Sequence, residues 1–197
     1  MGISRIILKI WQISRNSIYT FFAKQGFQSF GRKSVIKPLP DTIYGKKYIR
    51  IGENTTLGSH IQLTAWDIHN GKCFTPSIEI GDGCQFGSYN HLTSVNNIVI
   101  GKGVLTGKFV TITDNSHGKP GNEEMELSPI RRHVYSKGGV VIEDNVWIGD
   151  KATILPNVRI GKCSIIGSNA VVTKDVPPYC VVGGNPARII KQLKTEE

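Results

Sequence analysis

Apolar residues recur every six positions through much of this chain. Ile142, Ile148, Ile154, Ile160, Ile166 and Val172 stand six apart. The same step links Ile51, Leu57 and Leu63, then Ile80, Phe86 and Leu92, then Ile100, Thr106 and Ile112. A step of six does not keep one face of an α-helix apolar, because that helix turns every 3.6 residues. It does preserve strand alternation, being a multiple of two. The period therefore predicts short strands joined by tight corners. Two residues before each late isoleucine stand Val140, Val146, Ala152, Val158, Ser164 and Ala170, small enough for a narrow interior. The residue between points outward, which places Val141, Trp147, Thr153, Arg159, Ile165 and Val171 on the surface. The corner triplets, such as Glu143-Asp144-Asn145 and Gly167-Ser168-Asn169, are rich in residues that tolerate sharp backbone angles.

Such a repeat is the signature of a parallel β-helix, with three hexapeptides to a coil and each strand stacked on the one below. Two gaps interrupt it. One leaves an insertion at about 66–77, the other a loop of roughly 113–139. Long loops in compact domains tend to carry function. The expected organisation is an N-terminal basic amphipathic helix and linker over 1–40, a β-helix over 41–176, and a tail with a short C-terminal helix over 177–197.

The formal charge of +9 is unevenly placed. Residues 1–40 hold Arg5, Lys9, Arg15, Lys24, Arg32, Lys33 and Lys37 and no acidic residue. The remainder is nearly balanced, so no nucleic-acid footprint falls on the folded body. Ile3, Ile6, Ile7, Ile10, Ser14, Ile18 and Phe21 share one side of the N-terminal helix, with Arg5, Lys9, Gln12 and Asn16 opposite. That helix can pack on the coil or a neighbouring subunit, the commoner arrangement, or rest on an anionic membrane surface. Its apolar stretch is broken by Lys9 and Arg15, and no small-residue cleavage site follows. With no apolar run of about 18 residues, the expected location is the cytoplasm, free or at a membrane surface. Cys73, Cys84, Cys163 and Cys180 form no C-x-x-C pair, and nothing demands an oxidising compartment.

The repeats, the segment Thr113-Asp114-Asn115-Ser116-His117-Gly118, the stretch Val146-Trp147-Ile148-Gly149 and the tail Val172-Thr173-Lys174-Asp175-Val176-Pro177-Pro178 resemble the hexapeptide acyltransferases. The nearest branch is that of maltose, galactoside and antibiotic acetyltransferases and polysaccharide-modifying O-acetyltransferases. Gly183-Gly184-Asn185-Pro186-Ala187-Arg188 fits it as well. The resemblance covers about residues 45–192. It implies an all-β, left-handed parallel β-helix, a homotrimer with sites between subunits, and acetyl-CoA as co-substrate. The handedness comes from the resemblance alone, since parallel crossovers are ordinarily right-handed.

The reaction so implied needs a base, and histidine suits neutral pH. A lone loop histidine is more often a solvated turn residue. The match of His117 to the family's His-Gly element makes it the expected catalytic base. Asp114, Glu124 or a backbone carbonyl can orient its ring, and Asp114 can equally close a corner. Asn90, His91, Asp114, Asn115 and Trp147 are the candidate acceptor contacts, although Asn90 and His91 also read as a corner pair. Trp147 faces outward and needs a partner, either the thioester arm and acceptor or another subunit. By resemblance Trp147, Asp150, Ser168, Thr173, Lys174 and Arg188 contact the coenzyme. The two cations suit its phosphates, though each alone reads as a solvated surface charge. His60, His69 and His133 carry no comparable support. A metal site like that of γ-class carbonic anhydrases is not expected, because converging histidines and their H-x-x-x-x-H pair are absent. The leading function is acetyl transfer to a hydroxyl or amine of a sugar or polysaccharide precursor, without an acyl-enzyme. The alternatives are acetylation of an antibiotic or small amine, and a catalytically inactive β-helix scaffold.

Overall fold

The computed structural model describes residues 3–119, 121 and 123–193. The hexapeptides form short strands that turn through three faces and return, one coil on, beside the strand below. The first face stacks Ser29–Phe30, Ile49–Ile51, Ser77–Ile80, Asn97–Ile100, Val140–Ile142 and Arg159–Ile160. The third stacks Thr42–Tyr44, Gln62–Ala65, His91–Ser94, Thr111–Thr113, Thr153–Ile154 and Val171–Val172. Between them the second face carries Leu105–Thr106, Trp147–Ile148, Ile165–Ile166 and Cys180–Gly184, with Val35–Ile36 and Thr56–Leu57 paired beneath. Stacked neighbours run parallel, as Val141 beside Arg159 and Trp147 beside Ile165 illustrate.

Register follows the six-residue step. Ile142, Ile148, Ile154, Ile160, Ile166 and Val172 are all buried in one continuous core with Val140, Val146, Ala152, Val158 and Ala170. The third residue of each late corner, Asn145, Lys151, Asn157, Cys163 and Asn169, takes the left-handed conformation with φ of 58 to 63°. Asparagine adopts that region more readily than most residues, which explains its recurrence there. Corner aspartates tie each coil to the one below: Asp144 accepts from the Lys102 amide at 2.7 Å, and Asp150 from the Lys108 amide at 2.8 Å.

The coil begins earlier than residue 41. Ser29–Phe30 pairs with Arg50–Ile51, and Val35–Ile36 with Thr56–Leu57. Helix α1 spans Ile3–Ala23. At its C-terminal end Thr20 is buried, and its Oγ1 accepts from the Ile36 amide at 3.0 Å. Lys46 Nζ donates to the Ala23 carbonyl at 2.9 Å, satisfying a helix-end acceptor.

The expected C-terminal helix is a strand instead. Ala187–Gln192 folds back antiparallel on Cys180–Gly184. Gly184, at φ 99°, turns the chain just before Asn185-Pro186. A following run with Ile189 and Ile190 suits an extended partner strand better than a helix. Residues 194–197, the end of that expected segment, lie outside the described residues. Short 3₁₀ turns at Glu123–Glu126 and Pro129–Arg131 also occur inside the long loop.

Candidate active site

Strand register builds the floor of a cleft on the third face. Thr42, Gln62, His91, Thr111 and Thr153 lie side by side in one outward column, and Tyr44, Thr64, Thr93 and Thr113 in the next. Alternation turns the intervening Leu63, Leu92, Ile112 and Ile154 into the core. A β-helix face of this composition presents stacked hydroxyl, amide and imidazole groups at the spacing of successive strands, about 4.8 Å.

The two insertions wall this floor. The first is a hairpin, Ile68–His69 against Lys72–Cys73, turning at Asn70-Gly71 with φ of 47° and 75°. In the second, Ser116–His117 pairs antiparallel with Val134–Tyr135. The insertions lean together, because Asn70 Nδ2 donates to the Ile130 carbonyl at 2.9 Å. They enclose a cleft of about 570 Å³ lined by Gln62, Thr64, Trp66, His69, His91, Thr93, Asn115 and His117, among others.

His117 stands exposed at the rim, T-shaped against the His69 ring with 5.6 Å between centroids. Trp66 packs against Tyr44 at 4.5 Å and meets His69 edge-on at 6.5 Å. Two polar atoms of cleft-lining residues, Thr64 Oγ1 and His69 Nδ1, are closed to solvent and have no hydrogen-bond partner among the described residues, an exception to the rule that buried polar atoms are satisfied. Burial pushes the His91 imidazole below the usual histidine range, so its neutral form is favoured on the cleft floor.

The structure brings together His117, His91 and Asn115 from the expected set and removes others. Asn90 is fully buried: its amide oxygen accepts from the Val110 amide at 2.8 Å and its nitrogen donates to Thr106 Oγ1. It closes a corner and cannot touch an acceptor. Asp114 is also fully buried, accepting from Ser94 Oγ at 2.6 Å, the Val95 and Asn96 amides at 2.9 Å each, and Asn115 Nδ2 at 3.0 Å. It fixes the root of the loop and neither contacts acceptor nor orients His117. Glu124 pairs with His133, not His117, and that pairing holds its carboxyl below the usual range. No side-chain hydrogen bond reaches the His117 ring among the described residues.

Sequence reasoning passed over His69, Trp66 and Thr64. The gap at about 66–77 marked the insertion that carries the first two, but their side chains had no periodic signal of their own.

None of Trp147, Asp150, Ser168, Thr173, Lys174 and Arg188 lines this cleft. Trp147 is half-exposed on the second face. Asp150 and Ser168 occupy corners between the second and third faces, and Arg188 lies in the terminal hairpin. Thr173 and Lys174 turn the corner from the third face toward the first, on the edge from which the His117 loop departs. Lys174 and Arg188 are exposed and in no ion pair among the described residues. No cluster of three or more metal-ligating side chains occurs among the described residues. No described helix is long and apolar enough to cross a membrane.

The bacterial transferase hexapeptide (six repeats) family matches residues 139–174. A relative in Escherichia coli (strain K12), named "Putative lipopolysaccharide biosynthesis O-acetyl transferase WbbJ", is 32% identical over 170 residues, covering 85% of this chain and 83% of the relative. A chloramphenicol acetyltransferase of Klebsiella aerogenes is 52% identical over 75 residues, but these cover 38% of this chain and 36% of that enzyme. Among solved structures, AntD, an N-acyltransferase from Bacillus cereus in complex with dTDP and 3-hydroxybutyryl-CoA, superposes with a TM-score of 0.72. That match covers 89% of this chain and 88% of AntD at 22% identity, a likeness of fold.

Proposed function

The chain belongs to the hexapeptide-repeat transferase family, and on that premise we propose that it transfers an acetyl group from acetyl-CoA to a hydroxyl or amine of a sugar or polysaccharide precursor. His117 is the general base. The working form is a left-handed trimer with its sites between subunits.

The observation that carries this reading is the placement of His117 on the rim of a cleft floored by polar columns. Gln62, Thr64, His91 and Thr93 offer donors and acceptors to a polyhydroxylated acceptor, while Trp66 and Val134 supply apolar walls. Acetyl-CoA supplies an acyl group already activated as a thioester, so no covalent enzyme intermediate is needed. The chain must take one proton from the acceptor, and an unprotonated ring nitrogen of His117 can accept it. Lys174 and Arg188 suit the coenzyme's phosphates as positive partners.

The division of these groups favours assembly. The His117 cleft lies on the third face, while Trp147 belongs to the second face of the same chain. A neighbouring subunit that set its second face beside the cleft would bring its own Trp147 to the site, which favours a closed ring of copies. The saccharide reading is favoured because the similarity to the lipopolysaccharide-named relative spans most of both chains, whereas that to the chloramphenicol enzyme is local.

The test is kinetic. General-base catalysis is typically worth about 10²- to 10⁴-fold. His117→Ala should lower kcat by about that factor, with acetyl-CoA affinity by calorimetry unchanged, and His117→Asn should be equally slow. The wild-type rate should rise with pH and then level, as for any base that must be unprotonated to act. Near-normal turnover of His117→Ala on a true acceptor, with chemistry limiting, would assign the base elsewhere.

A further inference from the structure

Helix α1 meets the coil along one narrow side near its C-terminal end, where Tyr19 and Ala23 pack on the core beside buried Thr20. Asn16, Tyr19, Thr20 and Ala23, which repeat at intervals of three and four, are its buried or half-buried positions. Arg5, Lys9 and Gln12 continue the same line toward the N-terminus. The apolar side therefore turns away from the chain's own body. On it Ile7, Ile10 and Trp11 are 62%, 58% and 57% exposed, and Phe22 reaches 69%. A helix recruited to cover its own coil would have placed these residues inward, where each would gain roughly 1.5–3 kcal/mol on burial. Trp11 and Phe22, with Ile18, Tyr19 and Pro38, line an apolar groove beside the junction.

We infer that α1 is a membrane-surface anchor whose apolar face docks on a bilayer carrying anionic lipid. Charge complementarity selects this occupant. No acidic residue occurs in residues 1–40, against seven basic ones, so a second copy of this helix would offer these cations no opposite charge. An anionic surface instead attracts them. Arg15 lies over the Trp11 ring at 4.8 Å, at the margin of the apolar face, where its stem can run along the apolar surface while its head reaches lipid phosphate. Trp11 itself is of the type that settles at the level of lipid headgroups. The helix spans about 30 Å, and the line of cations along it fits one that lies on the bilayer rather than crosses it. The anchor is independent of the acyl-transfer reading, and its test needs no acceptor.

The experiment is co-sedimentation of the full-length protein with vesicles of phosphatidylcholine, with and without phosphatidylglycerol. Binding is expected to the mixed vesicles, weakening with salt, and to be far weaker to the neutral ones. Arg5→Gln with Lys9→Gln should weaken it by up to about 25-fold, at most about five-fold for each cation. Ile10→Glu with Trp11→Glu should weaken it at least about 100-fold. All four side chains are exposed, so the native mass by light scattering should be unchanged. Absence of binding to the anionic vesicles at low salt would overturn the inference. So would a fall in oligomer mass for the glutamate variant, which would make the face a contact between copies. Equal binding to neutral vesicles would remove the electrostatic selection.

Discussion

Asp114→Ala should destabilise the protein more than it harms the chemistry. The carboxylate lies at the point where the long loop leaves the coil and accepts four hydrogen bonds. Two of its donors have somewhere else to go: Ser94 Oγ also donates to the Ser77 carbonyl, and Asn115 Nδ2 to the Thr93 carbonyl. The Val95 amide is buried and loses its side-chain acceptor, and the Asn96 amide is only partly open to water. Hydrogen bonds to a charged group contribute about 1.5–3 kcal/mol each, and a stranded buried donor costs about 1–3 kcal/mol. With two bonds effectively lost, the expected destabilisation is about 3–5 kcal/mol. Asp114→Asn keeps an oxygen for one amide but turns an NH₂ toward the other, so about 1–2 kcal/mol is expected. Urea unfolding gives the free energies, and hydrogen exchange reads the Val95 amide, which should lose protection in the alanine variant. The pH midpoint of kcat should not move in Asp114→Asn. A loss below about 1 kcal/mol with Val95 still protected would refute this role, and a shifted pH midpoint would return Asp114 to the catalytic machinery.

Subunit complementation tests the shared site: His117→Ala and Trp147→Ala, each impaired alone, should recover activity when refolded together, because roughly a quarter of the sites in mixed rings pair intact partners; no recovery would place both residues in one protomer's site. His91 is held below its ordinary pKa by burial, so it contributes stability that is fully present above the unfolded histidine value of about 6.5. That stability is lost as pH falls through the lower folded value, and His91→Gln should flatten this acid slope in urea midpoints measured across that range. Replacing Lys174 and Arg188 together by Ala should weaken coenzyme A more than dephospho-coenzyme A in calorimetry; equal losses would show that neither side chain reads the 3′-phosphate.

The coil was legible because its determinant is local and repeated. A buried isoleucine every six residues fixes strand register, inward face and corner position at once, and Ile142 through Val172 occupy the places the period assigns. The terminal hairpin was not legible, because Ile189 and Ile190 adopt extended backbone through pairing with Cys180–Gly184, a tertiary partner no local pattern announces. The same holds for the cleft. His117 stood out by its sequence context, but Thr64, Trp66 and His69 join it only through stacking of strands and the folding of an insertion. Asn90 and Asp114 stayed open between corner and ligand roles for a related reason: both are polar residues beside the site, and only burial separates a side chain that holds a corner from one that meets a ligand. For α1 the amphipathic pattern was plain, yet which side met the body depended on Thr20 and Ile36, sixteen residues apart.

The long loop interrupts the stack without breaking its register. Val99 pairs with Val141, a separation of 42 residues, whereas Val141 pairs with Arg159, a separation of 18. Loop-closure entropy grows only with the logarithm of length, so closing the longer span costs about 0.8 kcal/mol more. That is a small part of the stability of an ordinary domain. An array of this kind can therefore accept, lengthen or exchange a corner segment almost anywhere along its edges. Acceptor preference, housed in such segments, can diverge between descendants while the strands beneath keep the same neighbours.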